Sequence, residues 1–267
     1  MRSVCRLLIL FLPLWLAACA TSPTGRSQFM MISEESAIAQ SAQAYAQAMS
    51  GFAKKGQISH DQALINRVNL ITGRLIYEAL IMRPDTRKWQ WSMQVINDPK
   101  TVNAWSMAGG RMALYSGLIE KINPTDDELA QVLAHEISHA LAKHTAEKMS
   151  VAMAASLGTL AVAVATDSRG VVMGASAAAL VAITLPNSRT AETEADQIGL
   201  ELAARAGYDP RAAVTLWQKM SKESGASSFD FLSTHPSSGK RIEALNALVP
   251  RMMPYYEEQK PHPVYPL

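Results

Sequence analysis

His135-Glu136-Ile137-Ser138-His139 sets two imidazoles four residues apart with a carboxylate beside the first. On a helix, residues i and i+4 lie one above the other, so both rings reach one ion at about 2.0–2.1 Å. Glu136 stands about 100° around from His135, within reach of a water at such an ion. These types fit metal-assisted hydrolysis: imidazoles ligate a divalent cation, and a carboxylate takes and returns a proton. Paired histidines and a glutamate on an otherwise apolar helix would be a costly choice without such a role. A hydrolytic zinc site also takes a third protein ligand and keeps one position for water.

His144 follows His139 by five residues, about 140° further around. Ala140-Leu141-Ala142-Lys143 holds no glycine or proline to break the helix, so His144 is expected to be structural or to orient a ligand from behind. A better third ligand lies 53 residues past His139. Arg189-Thr190-Ala191-Glu192-Thr193-Glu194-Ala195-Asp196 opens a second helix, expected to be capped near Asn187 or Ser188 and ended by Gly207 before Pro210. Glu192 and Asp196 share one face, beside Ala191, Ala195, Ile198, Gly199 and Leu202, small and apolar residues that permit close helix approach. An acidic first turn also suits the helix dipole, so this segment alone leaves both readings open. The upstream histidine pair favours Glu192 as ligand over Glu194 and Glu201, which have no acidic partner four residues on.

Other elements must hold these segments. Thr125 and Glu128 are spaced as a capping box, which starts the histidine helix near Asp126, and Leu129, Val132, Leu133, Ile137, Ala140 and Leu141 supply its buried stripe. Ser33 to Lys55 reads as a helix, and Ser59 to Met82 as another with Ser59 as cap and Pro84 as stop. Trp89 to Ile96 alternates as a strand, and Asn103 to Tyr115 as a hairpin around Gly109-Gly110. Aromatics make up only 6% of the chain, which disfavours a β-sandwich. The expected fold class is α+β, mainly helical, with a small antiparallel sheet whose edge strand lies beside a helical zincin core. Val151 to Thr166 and Val171 to Leu185 are uncharged runs shorter than the roughly 20 residues of a membrane span; they are expected to pack near the site or close over it, with contact to a membrane surface or another copy, or a membrane hairpin, as the alternatives.

Residues 1–18 read as a secretory signal, with Arg2 and Arg6 ahead of the apolar stretch Leu7 to Leu16. Leu16-Ala17-Ala18-Cys19 resembles a bacterial lipobox, which makes Cys19 the lipidation site and leaves the mature chain one cysteine and no disulfide. Ala20 rather than Asp after it implies, by resemblance, the outer membrane facing the periplasm. Removing Arg2 and Arg6 from the 25 Lys and Arg leaves 23, equal to the 23 Asp and Glu. A neutral chain is held at a membrane by its lipid, and gives no reason to expect nucleic acid as a partner. The expected organisation is a signal at 1–18, a lipidated tether at 19–32, a domain at 33–253 that carries the metal-site motifs, and an irregular Pro-rich tail at 254–267.

These motifs together resemble zinc metallopeptidase family 48, the family of the CAAX prenyl protease and the heat-shock protease HtpX, in its soluble periplasmic lipoprotein branch. The resemblance runs through Thr24-Gly25-Arg26-Ser27-Gln28, Ser33-Glu34-Glu35, Asn103-Ala104-Trp105, Gly109-Gly110, Tyr115-Ser116-Gly117-Leu118, His135 to His139 with His144, Glu192 with Asp196, Thr234-His235-Pro236 and Arg241-Ile242. It implies one zinc ion per chain on His135, His139 and Glu192, with Glu136 as general base. It implies that Asp196 assists from behind or donates a proton, that His235 lies near the metal, and that Arg241 lies near the developing oxyanion. Asn103, Ala104 and Trp105 would hold an extended substrate at the sheet edge, a mode that reads backbone. The expected function is a zinc endopeptidase that removes unfolded or misfolded envelope polypeptides. The alternative is a chaperone or assembly factor with secondary or latent protease activity, held latent by an apolar flap and by His235 as a fourth ligand.

Overall fold

The computed structural model describes residues 19–165, 189–223, 231, 235 and 239–267. The expected signal at 1–18, the apolar run at 171–185, the helix caps at Asn187 or Ser188, and Thr234 and Pro236 lie outside the described residues.

Two long helices open the domain. Helix α1 spans Glu34–Lys54, with the Ser33 hydroxyl accepting from the Ser36 N–H. Helix α2 spans Gln62–Met82 and is capped by Asp61, not by Ser59. The Ser59 N–H donates to Val95 O at 3.0 Å, which keeps that residue extended beside the sheet, so the helix starts later than expected.

The sheet order is β3-β5-β4, with β3 at Ser92–Ile96, β4 at Ala104–Met107 and β5 at Arg111–Tyr115. Strands β4 and β5 form the expected antiparallel hairpin, with Trp105 opposite Ala113. Gly109 and Gly110 turn it at φ +86° and +79°, a region closed to most residues. Strand β3 adds to the other side of β5 in parallel, a pairing that strand spacing does not reveal. Strand β4 is therefore an end strand, and it lies against the histidine helix.

A short helix α3, Ser116–Ile122, leads to α4, Asp126–Leu141. Both halves of the capping box form: Thr125 Oγ1 accepts from the Glu128 N–H, and Glu128 accepts from the Thr125 N–H. Helix α4 runs through the core, packed on α2 and β4 and buried along nearly its whole length. It does not continue to His144. It ends at Leu141, Lys143 turns the chain at φ +59°, and α5, His144–Ala165, begins a new direction. The expectation of an unbroken helix is corrected here, and the reason is tertiary. The last carbonyls of α4 are taken by distant side chains: Leu141 O accepts from Arg83 at 2.8 Å, and Ala142 O from Gln28 at 2.7 Å. Caps from elsewhere do the work a local glycine usually does.

Helix α5 starts buried and then leaves the core, with Met153, Leu157 and Leu160 exposed. No helix among the described residues is long and apolar enough to cross a membrane. Helix α6 covers 189–205 and stops at Gly207, φ +85°. Helix α7, Ala212–Glu223, and helix α8, Gly239–Glu257, close the core over α4.

Both ends of the described chain are more ordered than expected. Helix α8 runs through Pro250 and Pro254 to Glu257, so the expected irregular tail starts four residues later; 258–267 have neither helix nor strand, yet they dock. The Tyr265 N–H donates to Gly73 O at 3.0 Å, and any Cβ on Gly73 would stand 2.5 Å from Val264. Within the expected tether at 19–32, an antiparallel hairpin forms from β1, Cys19–Thr21, and β2, Ser27–Phe29. It is pinned by Gln28, which is buried and donates to Ala142 O, and by the half-buried Arg26, which donates to Glu147 on α5.

Candidate metal site

His135 and His139 project from one face of α4, as four-residue spacing requires. Helix α6 brings Glu192 to them. Gly199 makes the approach possible: a Cβ there would meet His135 N at 3.0 Å and its Cα at 3.1 Å. His235, whose N–H donates to Phe231 O, completes the group from the C-terminal side. One donor atom from each of His135, His139, Glu192 and His235 lies within 4.8 Å of all the others.

The closer distances are informative. His135 Nε2 is 3.1 Å from His139 Nε2 and 3.2 Å from His235 Nδ1. Glu192 oxygens lie 3.3 Å from His135 Nε2, 3.4 Å from His139 Nε2 and 2.9 Å from His235 Nδ1. Ligands at about 2.0–2.1 Å from a tetrahedral centre stand about 3.3 Å apart, so the donor set fits zinc in type and in spacing.

His235 is the fourth member of that set. The resemblance put it near the metal, and only the latent alternative made it a fourth ligand; the structure puts its Nδ1 among the ligand atoms and its Nε2 3.3 Å from Glu136 Oε1. Glu136 is buried, and among the described residues that oxygen has no hydrogen-bond partner, as suits a group kept for a substrate or water.

The partners behind the ligands differ. Asp196 Oδ1 lies 3.1 Å from His135 Nδ1, on the side of the ring away from the donor cluster. Arg241 grips Asp196 through Nε and Nη2, both at 2.7 Å, reaches Glu192 with Nη1 at 3.2 Å, and stacks on Trp217 at 3.8 Å. Its fork is thus engaged with two carboxylates. That geometry supports orientation of the ligands rather than the oxyanion role the resemblance implies. His144 stays outside the donor set, as expected, and its Nδ1 sits 2.8 Å from His139 Nδ1.

Burial disfavours charge on His135, but Asp196 and Glu192 outweigh it and push its pKa up to about 9. Burial dominates at His139 and pushes it down to about 3. Burial raises Glu136 above the usual carboxylate range, although His235 and His135 oppose it. Glu192 is buried too, yet hydrogen bonds with three imidazoles hold it far below that range.

The family model for peptidase family M48 matches residues 66–249, which include every ligand candidate. The chain belongs to peptidase family M48. Among its relatives is the mitochondrial metalloendopeptidase OMA1 of Saccharomyces cerevisiae, 36% identical over 63% of this chain and 50% of the yeast protein. OMA1 of Bos taurus is 30% identical over 92% of this chain and 49% of its own length. The beta-barrel assembly-enhancing protease of Escherichia coli is 28% identical over 68% of this chain and 38% of its own length. The chain thus spans half or less of the length of these relatives.

Of the expected substrate-strand residues, Asn103 caps the start of β4, its Oδ1 accepting from the Ala104 N–H at 2.9 Å and its O from the Tyr115 N–H. Ala104 is buried, and Trp105 meets Tyr45 edge to face. Sequence reasoning underrated Glu194. It offers no ligand atom, but its carboxylate receives His144 Nε2 at 3.1 Å. The available signal was its two-residue offset from Glu192, which turns it about 200° around the helix toward a different neighbour.

Proposed function

We propose that this M48 chain is a zinc metalloendopeptidase of the bacterial envelope, lipid-anchored through Cys19 to the outer membrane and facing the periplasm, where it cleaves unfolded or misfolded envelope polypeptides. The observation that carries the catalytic reading is the convergence of His135, His139 and Glu192 at tetrahedral spacing beside the buried Glu136. The lipobox-like Leu16-Ala17-Ala18-Cys19 supports the location.

His135, His139 and Glu192 would hold the ion. Zinc, when bound, supplies Lewis acidity that polarises a scissile carbonyl and lowers the pKa of water toward about 7. Glu136 takes the proton of the attacking water and returns it to the leaving amine, and burial gives its carboxyl the raised affinity that this second step needs. Asp196 holds the His135 ring by Nδ1, and Arg241 holds Asp196. The end strand β4 offers its backbone to an extended peptide, which favours loose sequence preference.

A second reading rests on His235. With its Nδ1 in the donor set, His235 would fill the fourth position of a bound ion, which supports a latent enzyme that must release His235 before a substrate enters, or a chaperone whose cleavage is secondary. Casein cleavage tests the main reading. The purified protein is expected to lose cleavage on chelation, and Glu136→Gln to lose about 100- to 10,000-fold while keeping its metal. Cleavage that persists under either treatment sinks the assignment, and full cellular function in Glu136→Gln favours the chaperone.

A further inference from the structure

His139 is supported by residues from the opposite end of the chain. Its Nδ1 meets His144 Nδ1 at 2.8 Å, and His144 Nε2 meets Glu194 Oε2 at 3.1 Å. Glu194 is in turn held by the N-terminal hairpin: Thr24 Oγ1 donates to Oε1 at 2.5 Å, and Arg26 Nε to Oε2 at 2.8 Å. The same guanidinium donates through Nη1 and Nη2 to both oxygens of Glu147, at 2.8 and 2.6 Å. His144, Glu147 and Glu194 are all buried.

A carboxylate only accepts, so the proton between His144 and Glu194 sits on His144 Nε2. The other nitrogen of a neutral ring is an acceptor, so His144 Nδ1 takes the Nδ1–H of His139. His139 is thereby held in the tautomer whose Nε2 lone pair faces His135 and Glu192. Arg26 is what allows Glu147 and Glu194 to lie together under cover. Its planar fork reaches both at once, two donors to Glu147 and one to Glu194, a fixed geometry that a lysine ammonium matches less well. Gln28 ties the same hairpin to Ala142 O and Glu147, across the break between α4 and α5.

We infer that the N-terminal hairpin positions the metal site: Arg26 and Thr24 hold Glu194, Glu194 holds His144, and His144 sets the ring of His139. Arg26 is a positioning residue, remote from substrate. The inference rests on the metal-site reading above and extends it to a segment with no ligand of its own.

The test measures zinc affinity on the full chain, by competition with a chromophoric chelator, together with the ring-nitrogen shifts of His139 in 15N-labelled protein. Arg26→Ala and Glu194→Gln are expected to weaken zinc binding by roughly 10- to 100-fold and to move the His139 shifts away from the Nδ1–H pattern. Arg26→Lys should recover part of the affinity, and Arg67→Ala, which removes a surface pair with Asp126, should match the unaltered protein. Glu194→Gln, close to isosteric, carries the test should Arg26→Ala fold poorly. Zinc affinity within twofold of the unaltered chain in Glu194→Gln overturns the inference, and so does weaker binding with unchanged His139 shifts. An unaltered chain that binds no zinc sinks the metal reading itself, a distinguishable failure.

Discussion

The two histidines of α4 look equivalent in the motif and are held by unlike machinery. His135 is backed by Asp196 and Arg241, a bidentate pair from α6 and α8 stacked on Trp217. His139 is backed by His144, Glu194 and Arg26, a longer chain that ends in the N-terminal hairpin. One support is a single buried ion pair, and the other is a relay through three side chains. The site is therefore clamped from both ends of the sequence onto one helix. A defect in either clamp is expected to show first at its own histidine.

Four substitutions break or sharpen this contrast. Arg241→Ala should have the largest effect, because it leaves Asp196 and Glu192 buried without their cation. Breaking such a pair costs about 3–5 kcal/mol, measurable by denaturant unfolding, and the loss should exceed that of Arg26→Ala, whose guanidinium is more exposed. Parity between the two would erase the distinction drawn here. Gly199→Ala should cost about 1–3 kcal/mol by overpacking at His135, and should lower zinc occupancy because Glu192 rides on the same helix. Retained stability and metal in that variant, by calorimetry and metal analysis, would show that the helices yield easily.

The next two act on the base that both histidines share. Thr125→Ala removes the hydroxyl cap of α4 and should cost about 1 kcal/mol, with little preference for either histidine. The last effect is a dependence on pH. Burial would raise the Glu128 carboxyl, but Lys219, the Thr125 N–H and Thr215 outweigh it and depress its pKa. Its stabilisation is therefore full above the ordinary value of 4.5 and is lost as pH falls through the depressed one. Glu128→Gln should flatten the acid limb of a plot of stability against pH, and an unchanged limb would assign acid sensitivity elsewhere.

Much of the candidate metal site was readable early because it is local. The spacing of His135 and His139, the Thr125–Glu128 box and the Gly109-Gly110 hairpin each act within one element, where helix or strand period dictates direction. The misreadings share the opposite origin. The break after Leu141 depends on Arg83 and Gln28, the late start of α2 on Val95, and the order of residues 19–29 on Glu147 and Glu194. Each is a hydrogen bond to a partner far along the chain, and pattern along a sequence carries no record of it.

The amino-acid sequence alone determined that two imidazoles and a carboxylate share a helix face, that a second acidic helix with small residues follows, and that the class is α+β. Those are consequences of periodicity, capping and side-chain size. Tertiary structure alone decided that His235 enters the donor set, that Arg241 serves Asp196 and Glu192, and that the N-terminal hairpin reaches His139. Metal chemistry needs atoms about 3 Å apart, and such distances arise only when separate elements are packed against one another.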